Sequence, residues 1–124
     1  MDSYKNLKVW QKSMDLVEEM YKLTSKFPKE ELFGLTSQMR RSTIAIPSNI
    51  AEGQRRNHLK EYIQFLYIAK GSGAELETQL LIAKRLSFNT PVLISNAEDL
   101  LTEILKMLTK LIESLQRHNK TSNN

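Results

Sequence analysis

The sequence predicts an all-α protein, an antiparallel up-and-down bundle of four helices with a kink in the second. Three observations carry that prediction. Apolar residues recur at steps of three and four in four separate segments, the spacing that lines one face of a helix. Only four glycines and three prolines interrupt a chain rich in Leu, Lys, Glu and Ser. The breaks between the segments are short, as in bundles whose neighbouring helices run antiparallel. The 124 residues fit one domain, read as 1–118, with a polar, frayed tail at 119–124. A chain of this size buries about two thirds of its unfolded surface, enough for a core without cross-links.

The first helix is expected from about Asn6 to Lys26, with Leu7, Trp10, Met14, Val17 and Tyr21 on its inner face. "FPKEEL" ends it, because Pro28 disfavours helix at Phe27 and suits the start of a new segment. The second begins near Lys29 or Glu30 and carries the stripe Leu32, Leu35, Met39, Thr43, Ile46 and Ile50. That stripe passes through Pro47 in phase, although an interior proline costs about 3 kcal/mol. One helix bent at Pro47 and ended by Gly53 is one reading. Two short helices, the second starting near Ser48, is the other.

The third helix is expected over 59–86, with Leu59, Ile63, Leu66, Gly73, Leu76 and Leu80 inward and Tyr62, Ala69 and Ala83 beside them. Gly71 and Gly73 each weaken a helix interior by about 1 kcal/mol, and close approach of another helix is the usual reason. "SFNTPV" separates the third and fourth helices, with Pro91 opening the fourth and Thr90 as its cap. The fourth, to about His118, has the stripe Ala97, Leu101, Ile104, Leu108, Leu111 and Leu115. Leu100, Leu105, Met107 and Ile112 widen it beyond what one apolar face requires. That surplus points to a second partner surface and so to an oligomer.

Composition excludes several classes. Without cysteine there are no disulfides and no Cys-ligated metals. No run of about 18 apolar residues spans a membrane, and "MDSYKNLKVW" lacks the apolar core of a signal peptide. A cytoplasmic protein is the expectation. The di-metal sites of helical bundles need Glu-x-x-His, but Arg55 precedes His58 and Leu115 precedes His118 at that spacing. "GSG" at 71–73 follows no strand and lacks the third glycine of a dinucleotide fingerprint. Neither Ser48 nor Ser72 has a spaced His partner. No enzyme, metal, cofactor or small-molecule substrate is indicated.

Charge is more informative. The chain carries 18 Lys+Arg against 14 Asp+Glu, a net +4. Residues 31–60 hold Arg40, Arg41, Arg55, Arg56 and Lys60 against only Glu31 and Glu52. Such a block is either a phosphate-binding footprint or a solvated helix face. Arg40 and Arg41 are placed to pair with nearby carboxylates. Arg55 and Arg56 lie beyond the Gly53 stop and are freer to meet a partner. Polar residues at helical spacing form a further seam: Asn49 with Glu52, and Ser72 with Glu75 and Gln79. It reads either as a network fixing helix register or subunit contacts, or as a ligand-binding site.

Three stretches together resemble a known family: "LKVWQKSMDLV", "LTSQMRRSTIAIPSNIAEGQRR" and "FLYIAKGSGAELETQL". They look like the four-helix-bundle proteins encoded in intervening sequences of bacterial 23S ribosomal RNA genes. The accessory proteins of diversity-generating retroelements are similar. The likeness runs over about residues 4–116. It implies an antiparallel four-helix bundle assembled as a ring-shaped homopentamer. For the retroelement relatives it implies binding of nucleic acid and of a reverse transcriptase. The motif positions carried over are Arg40, Arg41, Pro47, Asn49, Ala51, Glu52, Gly53, Gly71, Ser72, Glu75 and Glu77. No catalytic role attaches to any of them. The retroelement proteins are strongly basic, whereas this chain is only +4. Two functions therefore stand side by side: a nucleic-acid-binding accessory oligomer, contacting phosphate through Arg55, Arg56 and Lys60 with Arg40 and Arg41, or a scaffolding oligomer that binds no nucleic acid.

Overall fold

A computed structural model describes residues 3–88 and 90–122, with side chains described to Lys120. Four α-helices account for most of them: α1 (Lys8–Thr24), α2 (Ser37–Gln54), α3 (Leu59–Arg85) and α4 (Pro91–Ser122). No strand occurs among the described residues. α1 packs on α2 and α4, and α3 packs on the same two, so the helices stand at the corners of a square. Side-chain contacts fix the directions. Arg40, early in α2, meets Tyr21 and Thr24 at the end of α1. The N-terminal part of α3 meets the end of α2 at Gly53. Lys84, late in α3, pairs with Glu98, early in α4. Each helix is antiparallel to its neighbours, as expected.

The core is built from Leu16, Met20 and Leu23 of α1, Met39, Ile46 and Ile50 of α2, Leu66, Leu76 and Leu80 of α3, and Ala97, Ile104 and Leu108 of α4. The stripes foreseen for α3 and α4 are the buried ones. The stripe foreseen for α1 is not. Val9, Ser13, Leu16, Met20, Leu23 and Thr24 face the core, whereas Met14 and Tyr21 are exposed. The inward face is thus rotated by about a third of a turn from the expected one.

The second segment also differs. A 3-10 turn at Lys29–Glu31 and a π-helical turn at Leu32–Thr36 precede α2. Gly34 leaves helical geometry there (φ −114°, ψ −113°), and the Glu31 carboxylate accepts from the Leu35 N–H at 3.1 Å. The break in helical dihedrals therefore falls at Gly34, while α2 runs on unbroken through a buried Pro47. Leu32, expected in the inner stripe, is exposed, and Phe33 is 93% exposed. Gly53 is not a left-handed cap. It lies inside α2, where a Cβ would sit 2.6 Å from Phe65 Cβ, so it marks the close approach of α2 and α3.

The two glycines of α3 divide. A Cβ on Gly73 would meet Leu105 of α4 at 2.6 Å, but one on Gly71 would meet nothing within 4 Å. α4 extends four residues past the expected end at His118. Its apparent surplus is used within the chain: Leu100, Leu105 and Met107 pack partly buried against the core, and Ile112 is buried in it. A bundle helix has two neighbours, and α4 needs a wide stripe to serve both. Thr90 Oγ1 has no hydrogen-bond partner, so the expected side-chain cap is not made; the Thr90 carbonyl accepts from the Ile94 N–H.

α3 ends in a Schellman motif. The Phe88 N–H reaches the Ala83 carbonyl at 3.3 Å and the Ser87 N–H reaches Lys84 at 3.1 Å. The motif puts Ser87 in the left-handed region at φ 57°. A side chain there is disfavoured by about 1–2 kcal/mol, whereas glycine adopts the conformation freely but is also freer when unfolded. Ser87→Gly is therefore expected to stabilise the fold by about 1 kcal/mol, read as a higher midpoint in urea unfolding with an unchanged slope.

Candidate nucleic-acid interface

Successive residues on a helix point about 100° apart, so neighbouring arginines need not share a surface. Arg40 turns towards α1. Its Nε donates to Thr24 Oγ1 at 2.9 Å, and its guanidinium lies 4.3 Å from the Tyr21 ring centre. It is held within the fold by a hydroxyl and a ring, and not by the carboxylate the sequence suggested. Arg41 points the other way, onto the rim of a cleft between α2 and α3. That cleft of about 520 Å³ is lined by Gln38, Ser42, Ala45, Glu75 and Gln79 as well.

The remaining cations gather at the opposite end of α2. Arg55 and Arg56 lie fifteen positions beyond Arg40 and Arg41, about 22 Å along the helix axis. The five predicted cations therefore form two groups and not one patch. Arg55 is the C-cap of α2, where a cation suits the negative end of the helix dipole. Its guanidinium sits 5.4 Å over the Tyr4 ring. Tyr4 in turn meets Trp10 edge-on at 5.2 Å, which ties the start of the chain to this end. Arg56 donates from Nη2 to Glu52 Oε1 at 2.7 Å and lies 5.1 Å over Phe65. Both partners of that pair are about half exposed, so the pair is weak. Lys60 stands exposed in the first turn of α3.

Two further cations join this end. Lys5 is exposed beside Tyr4, and Lys120 is exposed near the end of α4, which antiparallel packing brings to the start of α3. The sequence reading missed both. Their separation of up to 115 positions leaves no local signal, and only the up-and-down topology predicts their company.

The polar seam does not close on itself. Asn49 Nδ2 donates back to the Ala45 carbonyl at 2.7 Å, and Glu52 is engaged by Arg56. The bond between the helices is made by Ser42, a residue the sequence reading passed over: its Oγ donates to Glu75 Oε1 at 2.5 Å. Gln79 is buried and its Oε1 accepts no hydrogen bond. Burial against α2 pushes the Tyr62 phenol above its ordinary 10.0. Tyr62 therefore favours the fold while both states are protonated, and that contribution is lost as pH rises past 10.

Among the described residues no group of three or more His, Asp or Glu side chains is placed to hold a metal ion. No helix of the described residues is long and apolar enough to cross a membrane. The structure offers cations at one end and a polar groove on one side.

Over residues 5–110 the sequence matches the family described as 23S rRNA-intervening sequence protein. The bundle is also similar to a crystal structure from Bacteroides thetaiotaomicron, described as a protein with unknown function from the S23 ribosomal protein family. The two share 26% identity and a TM-score of 0.78, over 85% of this chain and 95% of that one. No curated protein matches.

Proposed function

The chain belongs to the family of 23S rRNA-intervening sequence proteins, and from that footing we propose that it is a non-enzymatic, homo-oligomeric accessory protein that binds RNA through the basic end of its bundle. The observation supporting this reading is the company of Arg55, Arg56, Lys60 and Lys5 at one end, with no carboxylate of the described residues held by Arg55 or Lys60. Phosphate contacts of this kind are independent of sequence and strongly dependent on salt. A single chain offers few such contacts. A ring of five, the assembly the family resemblance implies, repeats the basic end around one axis and multiplies them.

An RNA gel shift in low and moderate salt tests the proposal. Binding is expected at low salt and is expected to fall steeply as salt rises. Arg55→Ala combined with Arg56→Ala removes two cations, so the slope of log affinity against log salt should shrink by about 1.4 for a single-stranded RNA. Arg40→Ala should leave that slope unchanged, because Arg40 is held between α1 and α2. Absence of binding at low salt, with the oligomer intact, would refute RNA binding and leave a scaffolding oligomer. Binding indifferent to the double substitution would move the interface elsewhere.

A further inference from the structure

The cleft between α2 and α3 holds polar groups that the fold leaves unmatched. Gln79 stands on its wall, 6% exposed, and its Oε1 has no donor. A buried acceptor without a donor is costly, and native proteins keep few of them. Arg41 and Glu75 line the same cleft with opposite charges. Among the described residues neither forms an ion pair with the other or with any other side chain. Glu75 is nonetheless held in place, because the Ser42 hydroxyl donates to its Oε1 at 2.5 Å across the two helices. Each carboxylate oxygen accepts about two hydrogen bonds, so most of the group's capacity is unused.

The antiparallel register sorts these groups by wall. Gln38 lies one turn before Ser42 and Gln79 one turn after Glu75, so the Ser42–Glu75 bond sets the two glutamines opposite each other. The α3 wall supplies acceptors: the Glu75 carboxylate and the Gln79 oxygen, which a turn of the amide about its last side-chain bond brings to the cleft. The α2 wall supplies donors: the Arg41 guanidinium and the Gln38 amide. The lining is polar except for Ala45, and a volume of about 520 Å³ admits a molecule of mononucleotide size.

We propose that this cleft binds a guanine ring, on a free nucleotide or as an unpaired base of RNA. Guanine carries its N1–H and N2–H₂ donors side by side on one edge and its O6 and N7 acceptors on the next. The donor edge meets the Glu75 carboxylate with two parallel hydrogen bonds, and the second amino hydrogen goes to Gln79 Oε1. O6 and N7 turn to Arg41 in the bidentate pairing that arginine makes with guanine. Adenine, cytosine and uracil each set a single donor group beside an acceptor, so a carboxylate holds them by one bond only. Single-stranded RNA is read in this way, through bases splayed out from the strand. The RNA form of the inference rests on the RNA-binding reading above. It adds a base preference to phosphate contacts that are blind to sequence.

Titration calorimetry with GMP, AMP, CMP and UMP tests it. The four share ribose and phosphate, so their difference isolates the base. GMP is expected to bind about tenfold more tightly than the others. Glu75→Gln, at an exposed position, should keep the helical content by circular dichroism and abolish the preference, because its amide sets a donor against the donors of guanine. Gln79→Met should weaken GMP without lowering the urea midpoint, since it removes an acceptor that the fold does not pair. A merely structural Gln79 would lower the midpoint and spare GMP. Two single-stranded RNAs of about ten nucleotides, one all uridine and one with a central guanosine, separate the two sources. Tighter binding of the second assigns the cleft to RNA. Equal binding of both, with GMP still preferred, assigns it to a free nucleotide. GMP bound no better than the other three, or unaffected by Glu75→Gln, would overturn the inference and leave salt-dependent RNA binding standing. Failure of both RNAs at low salt would instead refute the RNA reading, with the GMP preference alone deciding the cleft.

Discussion

Replacing Leu16 by alanine is expected to destabilise the bundle by about 3 kcal/mol, while the same change at Met14 costs under about 0.5 kcal/mol. Leu16 is 0% exposed and sits in the core cluster, whereas Met14, two positions earlier, is 42% exposed. Truncating a buried leucine loses its transfer energy and leaves a cavity that rigid helices close only partly. Urea unfolding of the two variants measures both numbers. Because the chain is proposed to assemble with itself, the comparison needs a protein concentration at which it is monomeric. If Met14→Ala were the more damaging of the two there, α1 would face the core with the stripe that its sequence first offers.

That pair of residues shows why α1 was hard to read. Two stripes compete on it at the same spacing, and the larger aromatic residues lie on the outer one. The inner one includes Ser13 and Thr24, which a hydropathy pattern counts against burial. Both hydroxyls satisfy themselves locally: Ser13 Oγ donates to the Trp10 carbonyl at 2.7 Å and Thr24 Oγ1 to that of Met20 at 2.8 Å. A hydroxyl bonded to its own helix can enter a core with little penalty. On α3 and α4 the stripe with the most regular apolar spacing is the buried one, and their inner faces were legible.

The kink was misplaced for a related reason. Pro47 is the visible breaker, yet α2 continues through it, and the helical dihedrals fail at Gly34 instead. At the site, the separation of Arg40 from Arg41 follows from the 100° step between neighbours and was open to inference. The arrival of Lys5 at the Arg55 end of the bundle was not, since it depends on Tyr4 folding back against the end of α2. Gln79 as an orphaned acceptor was likewise invisible, because whether a polar residue finds a partner is decided by rotamers and not by spacing.

The glycines provide a test of the helix contacts themselves. Gly53→Ala is expected to destabilise the fold by about 2 kcal/mol, although alanine is intrinsically the better helix former by about 1 kcal/mol. The added Cβ would lie 2.6 Å from Phe65 Cβ, 3.1 Å from Tyr62 Cδ1 and 3.2 Å from the Tyr62 carbonyl oxygen. Two of these three atoms cannot rotate away, as a Cβ and a main-chain oxygen move only with their helix. α2 and α3 would have to separate along their shared length, loosening the packing of Ile50 and Leu66. At Gly73 the atom met at 2.6 Å is Leu105 Cδ2, the far end of a side chain that can change rotamer. Gly73→Ala is therefore expected near neutrality, with the helix gain offset by repacking. At Gly71 the space is open, and Gly71→Ala should stabilise the isolated chain by about 1 kcal/mol. Urea midpoints of the monomer should then rise in the order Gly53→Ala, Gly73→Ala, Gly71→Ala. A stabilising Gly53→Ala would mean that α2 and α3 stand further apart than the 2.6 Å clash requires, and the glycine of the IPSNIAEG stretch would need another reason than helix contact.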